Sequence, residues 1–164
     1  MMAPMNDLLQ FLRARLDEEA ADARAAASKR GGGTWEAVLG DDFRSSVCGR
    51  YHEGELGYPS RPVIIDPDDH ETSVHIARHD PARVLREVEA KRRTMELHGI
   101  VHRDIMWLES GAETTAELPV CGLCVPRHSA YRDRDDVPEG PCATLRLLAL
   151  PYADHHDYRP QWQP

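Results

Sequence analysis

The chain has 164 residues and a net charge of −8, and Leu, Ile, Val and Phe together supply close to a fifth of it. That leaves a thin core for the length, near the composition at which apolar burial stops offsetting ordering entropy. No apolar run approaches the ~20 residues of a membrane span, MMAPMNDLLQ lacks the basic start and apolar centre of a secretory signal, and an acidic chain is poorly suited to a phosphate backbone.

A single domain over 1–164 is expected, located in the cytoplasm. Its first segment, 1–28, predicts a helix capped at Asn6 or Asp7. Leu8, Leu12, Leu16, Ala20, Ala23 and Ala27 form a narrow, Ala-rich apolar line, with Arg13, Asp17 and Arg24 lying away from it. SKRGGG then ends the helix and reads as a flexible link.

Segment 31–66 changes pattern. TWEAVL, SSVCGRYH and RPVIID are short β-branched and aromatic runs between turn clusters, which predicts two or three short antiparallel strands. Segment 68–110 is read as the central helices. Asp68 or Asp69 starts a short one, and Asp80-Pro81 places a capping carboxylate before a proline at the first helical position. The longer helix that follows carries Val84, Leu85, Val88 and Met95 on one face. Arg83, Arg86, Lys91, Arg92 and Arg93 alternate with Glu87, Glu89 and Glu96, the pattern of a solvated face rather than a binding stripe. Gly99 is a stop or bend, and periodicity does not decide whether IVHRDIMWLES continues the helix. Residues 111–141 read as loop. Segment 118–164 combines a cysteine knuckle, a last helix opening near Pro141-Cys142 and bent or ended by Pro151, and a tail in which Trp162 is a candidate anchor.

Cys121-Gly-Leu-Cys124 is the strongest chemical signal. Two thiolates three apart on a tight turn can face one tetrahedral zinc, and Gly122 lets the backbone curl around the ion. Cys142, at a helix start, is a natural third ligand because that end favours a thiolate. A thioredoxin-type redox pair would need the motif to open a helix, which CVPRHSAYRDRDD does not support. Structural disulfides are rare inside cells, and buried thiols acting as small hydrophobes are the remaining alternative. The fourth ligand comes from His98, His102, His128, the His155–His156 pair or Cys48. His98, at the end of the central helix, ranks first and His102 second.

A rival constellation lies in IIDPDDHETSVHIARHD. His75 and His79 stand one helical turn apart and Asp80 follows, an arrangement able to support a metal-dependent hydrolase. A helix cap explains Asp80 better, so a capped helix start with exposed histidines is the favoured reading, and the nearest further ligands are His155 with Asp154 or Asp157. There is no G-x-S-x-G, and GGG does not follow a strand and open a helix as a phosphate cradle would.

Three stretches, DLLQFLRARLDEEAADARAA, HIARHDPARVLREVEAKRR and PCATLRLLALPYADHHDYRPQW, resemble a family of small actinobacterial and actinophage proteins known as a domain of unknown function. The resemblance covers about half the chain. It implies that Cys121, Cys124, Cys142 and His98 form one set, and it implies no reaction. The chain departs from the family pattern at His156, where Pro tends to follow Asp-His.

The expected architecture is α+β: three main helices with a short antiparallel sheet, tied by a zinc knuckle. The expected cofactor is a structural zinc on Cys121, Cys124, Cys142 and His98. The functional expectation is a non-enzymatic interaction module that engages a protein partner or a second copy, without a membrane. A hydrolase on His75, His79 and Asp80 is the alternative. A nucleic-acid-binding knuckle using the central arginines is a second, disfavoured by the charge.

Overall fold

The computed structural model describes residues 3–29, 31–41, 44–50, 52–53, 59–60, 62–67, 69–127, 129–138 and 140–164. Asp68 and His128 lie outside the described residues. The architecture is α+β, with four helices and two three-stranded sheets among the described residues. The chain divides into two compact units, one of Met1–Arg15 with Lys91–Pro164 and the other of Leu16–Ala90. Among the described residues no helix is long and apolar enough to cross a membrane.

Helix α1 spans Ala3–Ala27. It starts before the expected caps, so Asn6 and Asp7 lie within it, and Asp7 instead accepts an ion pair from Arg159 at 2.5 Å. Leu8, Leu12, Leu16, Ala20 and Ala23 are buried, as the spacing of four and three predicts.

In the unit of Leu16–Ala90, β1 (Glu36–Leu39), β2 (Ser45–Cys48) and β5 (Val63–Ile65) form an antiparallel sheet in the order β1-β2-β5. Strands β3 (His52–Glu53) and β4 (Pro59–Ser60) make a separate two-stranded ribbon. Central strand β2 buries Ser45, Val47 and Cys48. Helix α2 (His70–Arg78) packs on β1 and β2 and is capped by Asp69, which accepts from the Thr72 N–H and hydroxyl, each at 2.7 Å. Helix α3 (Pro81–Leu97) opens on Asp80. The glycine triplet is not a free link: Gly33 C=O accepts from Ala82 N–H at 2.8 Å, and Gly32 C=O from the Trp35 indole at 3.0 Å.

In the unit of Met1–Arg15 and Lys91–Pro164, α3 ends at Leu97 and residues 100–109 do not continue the central helices. They form β6 (Ile100–Glu109), paired antiparallel with β7 (Ala112–Cys121) over ten residue pairs. The expected loop at 111–141 therefore begins with a long strand. The reason is local: Ser110 (φ 52°) and Gly111 (φ 85°) make a two-residue turn with both φ positive, the geometry whose twist matches a hairpin. Strand β8 (Ala130–Tyr131) lies parallel on the other side of β6. The sheet buries Ile105, Trp107 and Val120 against Val125 and Val137, and Arg134 stacks 5.2 Å from the Trp107 ring centre. Helix α4 (Ala143–Ala149) passes into a 3₁₀ turn at Leu150–Tyr152, where Pro151 interrupts regular bonding. The tail folds back so that Trp162 is 2 % exposed, with its ring 5.0 Å from that of Phe11.

Candidate metal centre

Strand register brings the ends of three elements together. His98 is the first residue beyond α3, and its N–H still bonds to Thr94 C=O at 3.1 Å. Two residues later Ile100 lies directly across the ladder from Cys121. The Gly122 N–H extends that pairing to Gly99 C=O at 2.8 Å, and Arg103 Nη2 holds the Gly122 carbonyl at 2.7 Å. A Cβ at position 122 would stand 3.2 Å from Val101 Cγ1 and 3.3 Å from Gly99 O, so any other residue would force these neighbours to give by a few tenths of an ångström. The knuckle closes with Val125 N–H on Cys121 C=O at 3.1 Å, and the Val125 side chain anchors it in the core. Cys142 arrives from the other direction as the N-cap residue of α4, its carbonyl accepting from Arg146 N–H at 3.2 Å.

The result is a compact group of four ligand atoms, all within 4.8 Å of one another, which could hold a metal ion. His98 Nδ1 lies 3.4 Å from Cys121 Sγ, 3.5 Å from Cys124 Sγ and 3.4 Å from Cys142 Sγ. One ring N–H can point at only one sulfur, so three equal distances are not three hydrogen bonds. They are the edges expected around a common centre. Metal–sulfur and metal–nitrogen bonds of about 2.3 and 2.0–2.1 Å at the tetrahedral angle give a nitrogen–sulfur edge of about 3.5 Å.

The thiols are electrostatically unequal. Burial pushes Cys121 up, but the amides of Cys124 and Leu123 and the neighbouring thiols donate to its sulfur and together hold it below the usual thiol value. Cys124 is pushed up to about 12, first by burial of its sulfur in the cluster, then by donation to Cys121 and by the negative charge of its neighbours. Without a metal, Cys121 thus ionises more readily than Cys124. A cleft of about 240 Å³ lined by Val125, Pro138, Pro141 and Arg146 opens on the three cysteines and gives an ion a way in.

The other sequence candidates lie elsewhere. His102 is exposed on β6, on the face opposite Ile105 and Trp107. Cys48 is buried in β2 of the other unit, its thiol raised by burial and by Asp66. His155, His156 and Asp157 form a second group able to approach an ion, with His156 Nε2 and His155 Nδ1 at 3.4 and 3.9 Å from Asp157 Oδ2. The Arg15 guanidinium lies against His155 Nε2, however, and the Asp157 N–H donates to Nδ1 at 3.1 Å. Both ring nitrogens of His155 therefore face donors, one of them cationic, which is a poor setting for a cation.

The hydrolase constellation also separates. Asp80 is 8 % exposed, with Oδ1 accepting from Arg83 N–H at 2.6 Å and Oδ2 from Trp35 N–H at 3.4 Å. It acts as the cap of α3. His75, in the last turn of α2, and His79, its C-cap residue, remain side by side, both exposed. On α3, Arg83 pairs with Glu87 at 2.6 Å, as the alternating charges predict.

Sequence reasoning did not identify Gly99 and Arg103 as the residues that latch the knuckle. The available signal was Ser110-Gly111 between two alternating runs, which places Ile100 opposite Cys121. Neither the curated proteins nor the solved structures contain a match to the chain. The chain belongs to a family of unknown function (DUF6221), whose profile matches residues 5–164.

Proposed function

We propose that this chain is a small zinc-stabilised interaction module. Cys121, Cys124, Cys142 and His98 hold one Zn²⁺ in a closed structural site, and the protein works by engaging a protein partner or a second copy in the cytoplasm. The observation that carries the reading is the set of near-equal distances, 3.4, 3.5 and 3.4 Å, from one imidazole nitrogen to three sulfurs. Three thiolates and an imidazole in a tetrahedron suit zinc by ligand softness and geometry. Four protein ligands leave no position for an activated water, so the ion's role is to cross-link. Three thiols without a disulfide fit a reducing compartment, as does the resemblance to actinobacterial and actinophage proteins.

The test is elemental analysis of the purified full-length chain, followed by exchange with Co²⁺. One zinc per chain and a cobalt spectrum with tetrahedral d–d bands and strong sulfur charge-transfer absorption are expected. Less than half an equivalent after reconstitution, or an octahedral cobalt spectrum, refutes the site. Sedimentation of the zinc-loaded protein then distinguishes a self-associating chain from one that waits for another partner.

A further inference from the structure

The C-terminal end of helix α2 carries a separate pair of imidazoles, His75 in its last turn and His79 at its C-cap. His75 and His79 are one turn apart and exposed, with ring centres 4.5 Å apart and ring planes inclined at 43°. His79 Nδ1 lies 2.8 Å from the His75 carbonyl oxygen. A carbonyl only accepts, so His79 donates from Nδ1 and its Nε2 keeps a lone pair. Metal-binding imidazoles are commonly held this way: one nitrogen donates to a backbone carbonyl, which fixes the tautomer and orients the other.

The separation of the rings carries the metal preference. A ligating nitrogen sits about 2.0–2.1 Å from a d-block ion and the ring centre about 1.1 Å beyond it, or about 3.2 Å from the ion. Two such rings at 90° have centres about 4.5 Å apart, and at the tetrahedral angle about 5.2 Å. The observed 4.5 Å equals the right-angle separation, and binding an ion requires that the two exposed rings turn their free nitrogens to one point. Local charge is mixed, because Arg78 directly precedes His79 in the last turn of α2. Glu71 recurs one turn before His75 on α2, and Arg83, which reaches back to Arg78 C=O at 3.0 Å, has its charge paired with Glu87.

We infer that His75 and His79 form a second metal site, which takes a divalent d-block ion with cis positions at right angles, Ni²⁺ or Cu²⁺, and leaves its remaining positions open to water or an external donor. The site shares no residue with the cysteine centre and does not depend on zinc being bound there. Asp80 has no part in it, because that carboxylate caps α3.

The experiment is calorimetric titration of the full-length, zinc-loaded chain with Ni²⁺ alone, alongside His75→Ala, His79→Ala and His156→Ala variants. His75 and His79 are both exposed, so unchanged circular dichroism is the control for folding. A second imidazole one turn away acts at high effective concentration, so each of these two variants should weaken Ni²⁺ binding by about tenfold or more. His156→Ala should leave it unchanged. Equal affinity in wild type and in both the His75 and His79 variants overturns the proposal, as does loss of binding in His156→Ala alone. A wild-type affinity no better than that of free imidazole overturns it as well.

Discussion

Replacing Cys142 by Ser tests the cross-link where it is most exposed to failure. The substitution keeps a side chain of similar shape at the N-cap of α4 but removes the sulfur that stands 3.4 Å from His98 Nδ1. A serine hydroxyl stays protonated at neutral pH and its shorter reach breaks the tetrahedral edge. Structural zinc contributes about 10–16 kcal/mol in small metal-stabilised domains. One of four ligands then accounts for about 3–4 kcal/mol, a loss of about two to three decades in affinity. That is a large part of the 5–15 kcal/mol typical of a whole domain. Competition with a chromophoric chelator at pH 7.5 reads the affinity, and urea unfolding with and without the chelator reads the coupling to the fold. Cys142→Ser should bind zinc about 10²–10³-fold more weakly, and added chelator should change its unfolding far less than that of wild type. Cys48→Ser should retain the metal, because Cys48 is buried in β2 of the other unit. A Cys142→Ser protein within twofold of wild-type affinity, or a Cys48→Ser protein without zinc, would refute the assignment.

Metal uptake should release protons: with Cys124 raised to about 12, its thiol is protonated at neutral pH until an ion displaces the proton, so zinc affinity rises with pH. Titrations at pH 6.0 and 7.5 in buffers of different ionisation heat check this, and pH-independent affinity would count against it. In the metal-free chain the same shift has the opposite sign for stability. Folding favours the neutral thiol, so its contribution is complete below the ordinary value of 9.0 and is lost as pH rises through about 12. Alkaline unfolding of the apo protein should therefore be less steep in Cys124→Ala. Asp80→Ala should cost about 1–2 kcal/mol in urea unfolding and Asp80→Asn much less, since asparagine also caps. A catalytic or metal-binding Asp80 would instead make the two variants alike in function and Asn no rescue. Trp162→Ala should cost about 3–5 kcal/mol, because the indole is 2 % exposed against Phe11 and Tyr158. A cost below 1 kcal/mol would show that the tail does not anchor the chain.

What could be read from the sequence was whatever depends on near neighbours. The stripe from Leu8 to Ala23, the cap at Asp80 and the Cys121–Cys124 knuckle are all patterns within a few turns or a few residues. The β6–β7 hairpin was hidden because the inward face of β7 is built from Thr114, Ala116, Leu118 and Val120, of which only the last two look apolar. Its outward face is acidic, with Asp104 directly across from Glu117, so the segment has the composition of a loop. The choice of fourth ligand depends on that same hairpin. The place of His98 at the end of the central helix ranks it first, but His102, His128, His155 and Cys48 stay open until Ile100 is known to face Cys121, because spacing along the chain carries no information about register. The division of the chain at residues 15 and 90 was equally invisible, because both cuts fall inside continuous helices.

The thin core and the cluster of cysteines are two sides of one design problem in the unit formed by Met1–Arg15 and Lys91–Pro164. Helix α4 has seven residues, too few to persist alone, and buries fully only Leu145 and Ala149. At its start stands Cys142, within the ligand cluster. Past its end, Tyr152, Tyr158 and Trp162 gather around Phe11 of α1 with ring centres 5.0–6.1 Å away. On the proposed reading the short helix is held at one end by a metal shared with His98, just beyond α3, and Cys121 of β7, and at the other by aromatic packing. Apolar burial along its length need supply little. The two anchors should fail separately: chelation should loosen the Cys121–Cys142 segment while Trp162 stays protected, and Trp162→Ala should free the tail while zinc stays bound. Hydrogen exchange resolved by segment distinguishes this from cooperative collapse. Simultaneous loss of protection in both segments after either perturbation would mean that α4 transmits the constraint rather than merely joining its ends.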